Sequence, residues 1–169
     1  MNEFNTDLYT VKGVFLPSET DTYVIGFYYQ NKEGKHFIIE EESFERYEVN
    51  PFTLCRNTGL EIKNCSYVPY EYDVFSYNEP MRNGAFFGYL EFNQSIKSYV
   101  LVTNSETNQY RTLDKCCNLS YTGRNVLVSD EDMKWFVEYS KREYEKSKSH
   151  TIDNSYCPSK FKKMKGGAE

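Results

Sequence analysis

The sequence predicts a mainly β protein: a small barrel or sandwich of short antiparallel strands, divisible into two β subdomains, with one C-terminal helix. Three observations predict it. Across residues 9–128, short runs of alternating apolar and polar residues are separated by Gly, Pro, Asn and Ser, the punctuation of short strands. The 16 Tyr and 12 Phe are abundant for the length, and rings suit the pleated, half-buried surface of a strand. Only one stretch, beginning at Ser129, has helical periodicity. The richness in rings also sets the chain apart from disordered sequences, which are poor in them. A length of 169 residues suffices for one compact domain, or for two small subdomains sharing a core.

Each element follows from local pattern. Residues 9–16 read as a first strand, stopped by Pro17-Ser18. Residues 21–30 form a stronger one, with Tyr23, Ile25 and Phe27 on one face and Val24 and Tyr28 on the other. Gly26 inside it marks a bulge or a close backbone approach. Asn31-Lys32-Glu33-Gly34 is a hairpin turn, and His36–Ile39 is the returning strand. Glu40-Glu41-Glu42-Ser43 makes an acidic corner. Residues 44–49 alternate with period two, and Pro51 ends them. Asn57–Leu60 is a tight reversal around Gly59, and Lys63–Ser66 is a second turn. Residues 67–77 read as an aromatic strand interrupted at Pro69.

Beyond the loop at 78–84, residues 85–92 form a strand containing Gly88, and 97–104 form its hairpin partner. Ser105–Asn108 turns the chain into short strands at 110–113 and 115–121. Thr122–Asn125 turns it again before Val126-Leu127-Val128. The helix starts with Ser129 as N-cap and acids in its first turn. Met133, Phe136, Val137 and Tyr144 follow at helical spacing, with cations late, to an end near Lys148. Residues 149–169 are a flexible basic tail. No internal repeat is visible in the residues. The predicted organisation is a β domain over 1–128, with subdomains of about 9–56 and 57–128, a helix at 129–148 and the tail.

Charge and cysteine usage narrow the setting. From Lys141 onward lie eight Lys or Arg and four acids, a surplus of +4, so the first 140 residues carry −9 of the net −5. An acidic body disfavours broad contact with nucleic-acid phosphates. The five cysteines are odd in number, Met1–Asn5 has neither basic head nor apolar run, and no stretch has the length of a membrane span. These features predict a cytosolic protein with reduced thiols and no membrane partner.

No chemistry of catalysis or metal binding stands out. Two histidines far apart and the lack of a Cys-x-x-Cys pair argue against a metal site. Cys157 and His150 lie in the tail with no oxyanion-hole motif. Glu71 and Asp73 fall on one face of the predicted strand, about 7 Å apart, where turn and backbone hydrogen bonding outweighs an acid–base role. No cofactor is expected.

The central stretch resembles the YopX family of phage and prophage proteins. That family carries a strand ending Val-x-Pro-x-Thr-Val, a Thr-Gly-Leu corner, an Asp-x-Asn-Gly turn and Ile-Tyr-Glu-Gly-Asp-Ile. Here Val49, Pro51, Thr53 and Leu54 fit the first part, Thr58-Gly59-Leu60 the corner, Lys63-Asn64 part of the turn, and Tyr70-Glu71-Tyr72-Asp73-Val74 the closing strand. Tyr23–Tyr28 resembles the family's Trp-Val-x-Gly-Tyr-Tyr. The likeness spans about Tyr9 to Ser129. It departs at Ile62 and Cys65 in the turn and at Tyr72, which replaces a glycine. The resemblance implies small β subdomains, a tendency to homo-oligomerise and expression from a phage genome, hence a host bacterial cytoplasm. It carries no catalytic residues, and Gly26, Pro51, Thr58, Gly59, Leu60, Glu71 and Asp73 stand as fold determinants.

The expected function is a non-enzymatic factor that binds a host protein, most concretely an inhibitor of a bacterial defence nuclease or CRISPR effector. Sixteen tyrosines exceed what a small core buries with every hydroxyl satisfied. Tyr67, Tyr70, Tyr72 and Tyr77 are therefore expected at the surface. With Glu40, Glu41 and Glu42 they would meet a basic surface on a nucleic-acid-handling enzyme. The alternative is a small nucleic-acid-binding β-barrel that uses Lys160, Phe161, Lys162, Lys163 and Lys165. A third is a self-assembling accessory protein joined through the helix.

Overall fold

The computed structural model describes residues 10–16, 22–63, 66–80 and 82–153, with 148–153 as backbone only. Among the described residues, two five-stranded antiparallel sheets and one α-helix make up the fold. The first sheet contains β1 (Thr10–Val14), β2 (Tyr23–Gln30), β3 (His36–Glu40), β4 (Arg46–Glu48) and β5 (Cys55–Arg56), in the order β4-β3-β2-β1-β5. The second contains β6 (Asp73–Asn78), β7 (Phe86–Asn93), β8 (Ser98–Asn104), β9 (Gln109–Thr112) and β10 (Cys117–Asn125), in the order β10-β6-β7-β8-β9. Neither sheet closes on itself, so the architecture is sandwich-like and not a barrel.

The two sheets share one topology that the residues do not advertise. Each is a four-stranded meander whose fifth strand returns to flank the first. Each also places a glycine on its second strand against the backbone of its third. A Cβ on Gly26 would stand 2.0 Å from the Ile39 carbonyl oxygen, and one on Gly88 would stand 3.0 Å from that of Val102. The close backbone approach read from Gly26 is therefore present, and it occurs twice. No repeat is visible in the residues; the likeness of the two sheets lies in their strand order.

Hairpin loops of equal length recur as well. Residues 41–44, 94–97 and 105–108 each bridge antiparallel strand ends, at Glu40/Glu45, Asn93/Ser98 and Asn104/Gln109. In all three the last loop residue is left-handed: Phe44 at φ 57, Lys97 at φ 54 and Asn108 at φ 51.

Several sequence expectations are corrected. Residues 67–77 do not form one strand. The Asp73 carboxylate accepts the Tyr70 amide at 2.8 Å, the Asp73 amide donates to the Tyr70 carbonyl, and Tyr72 takes φ 66. The chain therefore turns at 70–73, and Glu71 and Asp73 do not share a strand face. Thr122–Asn125 stays within β10: Gly123 at φ 82 sits in an irregularity of register, and Thr122 Oγ1 donates to the Val74 carbonyl. Residues 126–128 form the turn instead.

The helix, α1 (Asp130–Asp153), passes the expected end at Lys148 because no Gly or Pro occurs before Pro158. Ser129 caps it as expected, accepting the Asp132 amide on Oγ and the Met133 amide on its carbonyl. The tail from 154 onward lies outside the described residues.

Burial follows the sheets. On one face of the second sheet, Phe136, Met133 and Tyr139 of α1 cover Val74, Tyr89, Val100 and Val102. On the opposite face Phe75, Tyr77, Phe86, Leu90 and Leu101 form a second cluster, covered by Leu60, Ile62 and residues of β10. Val24, Ile38 and Val49 form the core of the first sheet. Cys55, Tyr70 and Val128, with Val14 and Ile25, pack where the two sheets meet.

Candidate functional site

The junction of the sheets is held by a charge that sequence reasoning missed. Lys12, on β1, is 0% exposed. Its Nζ donates at 2.7 Å to Asp73 Oδ1 and at 2.7 Å to the Tyr67 hydroxyl. The rings of Tyr23, Tyr70 and Tyr121 also surround the ammonium, with centroids 4.6, 5.3 and 5.7 Å away. Asp73 is equally saturated. Besides Lys12 it accepts from Asn125 Nδ2, the Tyr67 hydroxyl and the Tyr70 amide. Asn125 extends the network: its Nδ2 also donates to the Glu71 carbonyl, and its Oδ1 accepts the Leu127 and Val128 amides. A fully paired buried ion pair of this kind fixes geometry more than it adds net stability. The one sequence signal was a lone lysine between Val11 and Gly13 in a strand otherwise without charge.

Glu71 makes a second bridge. Its carboxylate takes two charge-assisted bonds from Arg56, at 3.0 and 2.7 Å, and a longer one from the Tyr99 hydroxyl. The hydrogen bonds that Arg56 donates to the Glu71 carboxylate raise its pKa. The remaining fold determinants are placed as local devices. Asn57 Oδ1 accepts the Gly59 amide, with Gly59 at φ 65, and Thr58 bonds the Pro69 carbonyl through its amide and hydroxyl. Leu60 packs on the second-sheet core, and Pro51 opens one turn of 3-10 helix capped by Asn50.

The predicted tyrosine surface is not a surface. Tyr70 is 3% exposed and Tyr77 2%; Tyr67 and Tyr72 are half-buried. For Tyr70 and Tyr67 the expectation failed because the core supplies polar partners. Tyr70 shares a hydrogen bond with Thr10 Oγ1, and Tyr67 bonds both Lys12 and Asp73 while stacking on Tyr121 at 3.9 Å.

The acidic corner, by contrast, is where it was read. Glu41 and Glu42 are exposed in the β3–β4 loop, and Glu40 is half-buried at its base, where it accepts the Ser43 hydroxyl. The corner also carries an exposed aromatic. Phe44 is 77% exposed at φ 57. At the far end of β4, Phe52 is 85% exposed. β4 is an edge of the first sheet. The acids and the buried tyrosines therefore do not converge on one surface. Lys160, Phe161, Lys162, Lys163 and Lys165 lie outside the described residues.

Among the described residues no cluster of His, Cys, Asp and Glu is arranged to hold a metal ion, and no helix is long and apolar enough to cross a membrane. Compared with protein-family models, with curated proteins and with solved structures, the chain finds no match. The likeness to the YopX family accordingly rests on its short motifs alone.

Proposed function

We propose that this chain is a non-enzymatic protein-binding factor that docks on a basic partner surface through the acidic β3–β4 corner. The observation that carries the reading is Phe44. Three hairpin loops of equal length place their last residue in the left-handed region, and in one of them that residue is Asn108, a type enriched there. Phenylalanine pays about 1–2 kcal/mol to adopt that conformation and recovers little by burial, being 77% exposed. Local folding favours Asn or Gly at position 44, so a ring there is explained by what it touches outside the chain. Exposed aromatics are anchors of protein interfaces, and Glu41, Glu42 and Glu45 around this one supply complementarity to a basic partner.

The most concrete form of the proposal is a phage-encoded inhibitor of a bacterial defence nuclease or CRISPR effector, acting in the host cytoplasm. Its support is the −9 charge of the first 140 residues, which suits a surface evolved to hold nucleic acid, and the motif-level resemblance. Affinity capture from nuclease-treated bacterial lysate tests it. The native chain is expected to retain a partner that E41K/E42K releases. Equal retention by the charge-reversed variant would remove the corner from the interface.

A further inference from the structure

A groove of about 460 Å³ runs between α1 and the β9 side of the second sheet, remote in the fold from the β3–β4 corner. This volume is in the range of sites for small organic molecules. Its charges are unevenly satisfied. Glu79 is shared by two guanidinium groups, taking Arg111 Nε at 2.8 Å and an Arg82 terminal nitrogen at 3.3 Å. Glu143, also on the groove, is engaged by Lys146 at 2.7 Å. One positive charge is left in excess at the Arg82–Glu79–Arg111 node, within a body that is otherwise acidic.

Both arginines keep unused donors. Arg111 spends Nε on Glu79 and one terminal nitrogen on the Tyr110 carbonyl. The Arg82 guanidinium carbon stands 4.2 Å from the Phe86 ring centroid, a cation–π contact that occupies none of its N–H donors.

A second, independent feature points to a ligand. The Tyr77 side chain is 2% exposed and lines the groove, and its hydroxyl, which reaches the accessible groove, has no hydrogen-bond partner among the described residues. A phenol held by a buried ring with its oxygen open to a groove is a preorganised hydrogen-bonding group. The other deep tyrosine of the groove, Tyr139, has a partner, since its oxygen accepts the Phe87 amide. Burial raises the Tyr77 pKa, with Glu79 adding to the effect, so this phenol is held as a donor. Two further rings, Tyr110 and Tyr144, also line the groove.

We propose that this groove binds a small aromatic oxyanion, its phosphate or carboxylate group taken by Arg82, Arg111 and the Tyr77 hydroxyl, and its ring by Tyr110 and Tyr144. Planar guanidinium forks match both kinds of oxyanion, and the rings make an aromatic ligand preferable to a bare ion.

The test is calorimetric titration of the full chain with phenyl phosphate, benzoate and inorganic phosphate, with binding mapped by amide NMR shifts. Phenyl phosphate or benzoate is expected to bind with Kd of about 1 mM or tighter, at least tenfold tighter than inorganic phosphate. Shifts should be confined to β6, Arg82, Phe86, β9 and the C-terminal half of α1. Whichever aromatic anion binds more tightly identifies the oxyanion class. R111Q is expected to lose binding at least tenfold, and R82Q gives the same test should R111Q fold poorly. E79Q is expected to bind more tightly, because it frees both guanidinium groups; a merely structural Glu79 would give no gain. No saturable binding by either aromatic anion, shifts scattered over surface lysines, or full affinity in both arginine variants would overturn the proposal. None of these outcomes bears on the β3–β4 corner.

Discussion

Replacing Asp73 by Asn should be among the most damaging single-atom changes available in this protein. Lys12 and Asp73 are both 0% exposed and 2.7 Å apart. Removing the carboxylate charge leaves the Lys12 ammonium buried with one phenol oxygen and a set of ring faces. Breaking one side of a buried pair costs about 3–5 kcal/mol, and the rings return about 1–2 kcal/mol of that at most. The net expectation is about 3 kcal/mol, or a fall in Tm of about 10 °C for a chain of this size.

Lys12→Met should cost less. Asp73 would retain donors from Asn125, Tyr67 and the Tyr70 amide, at 2.8, 2.9 and 2.8 Å, and the thioether fills the vacated stem. Urea denaturation of both variants, read as midpoint and slope, measures the two costs, and added salt should not narrow the gap because buried pairs are poorly screened. A cost below about 0.5 kcal/mol for Asp73→Asn, or a larger cost for Lys12→Met, would refute the view that this pair locks the sheets together.

Other consequences are as direct. Gly26→Ala places a Cβ 2.0 Å from a backbone carbonyl that cannot rotate away, so β2 and β3 must part; the loss should exceed about 3 kcal/mol, beyond ordinary overpacking, and a two-state urea curve near the native midpoint would contradict it. Burial pushes the Cys55 thiol up to about 12 and that of Cys116 up to about 11, while Cys117 is exposed. A short iodoacetamide pulse on the folded chain, followed by peptide mapping, should therefore label Cys117 well before Cys55. Burial also pushes Tyr89 and Tyr139 up to about 12, from an ordinary value of 10.0. The unfolded chain then loses those protons first, so their contribution is fully present below pH 10 and is lost as pH rises toward 12. A urea midpoint that stays flat across that window would count against these phenols being buried in the folded state.

What was legible in the sequence is what local chemistry decides. The alternation of Tyr23, Ile25 and Phe27 against Val24 and Tyr28 marked β2, Gly34 marked its turn with φ 83, and Ser129 marked the start of α1. Gly26 was readable because a glycine in a strand of large residues has few other reasons to be there.

What was not legible depends on residues distant in the chain. Lys12 is buried because Tyr67 and Asp73, 55 and 61 positions away, reach it. The same contacts draw Tyr67 and Tyr70 inward, against the expectation of a tyrosine surface. The turn at 70–73 was hidden because the run of aromatics continues through it, and only the Asp73 carboxylate on the Tyr70 amide breaks the strand. The matching topology of the two sheets is recorded in pairing partners and two glycines, with little trace in residue identity. Phe44 read as the first residue of a strand, since nothing local distinguishes a phenylalanine that starts a strand from one forced into a left-handed loop end.

The corner is tested most directly by capture of a partner with Phe44→Asn. This change gives the β3–β4 loop the residue that the equivalent loop carries at Asn108, so the fold should gain about 1 kcal/mol. If the corner is the docking surface, the stabilised variant should lose the nuclease-resistant partner that the native chain retains from bacterial lysate. A variant that is more stable and still retains that partner in full would contradict it.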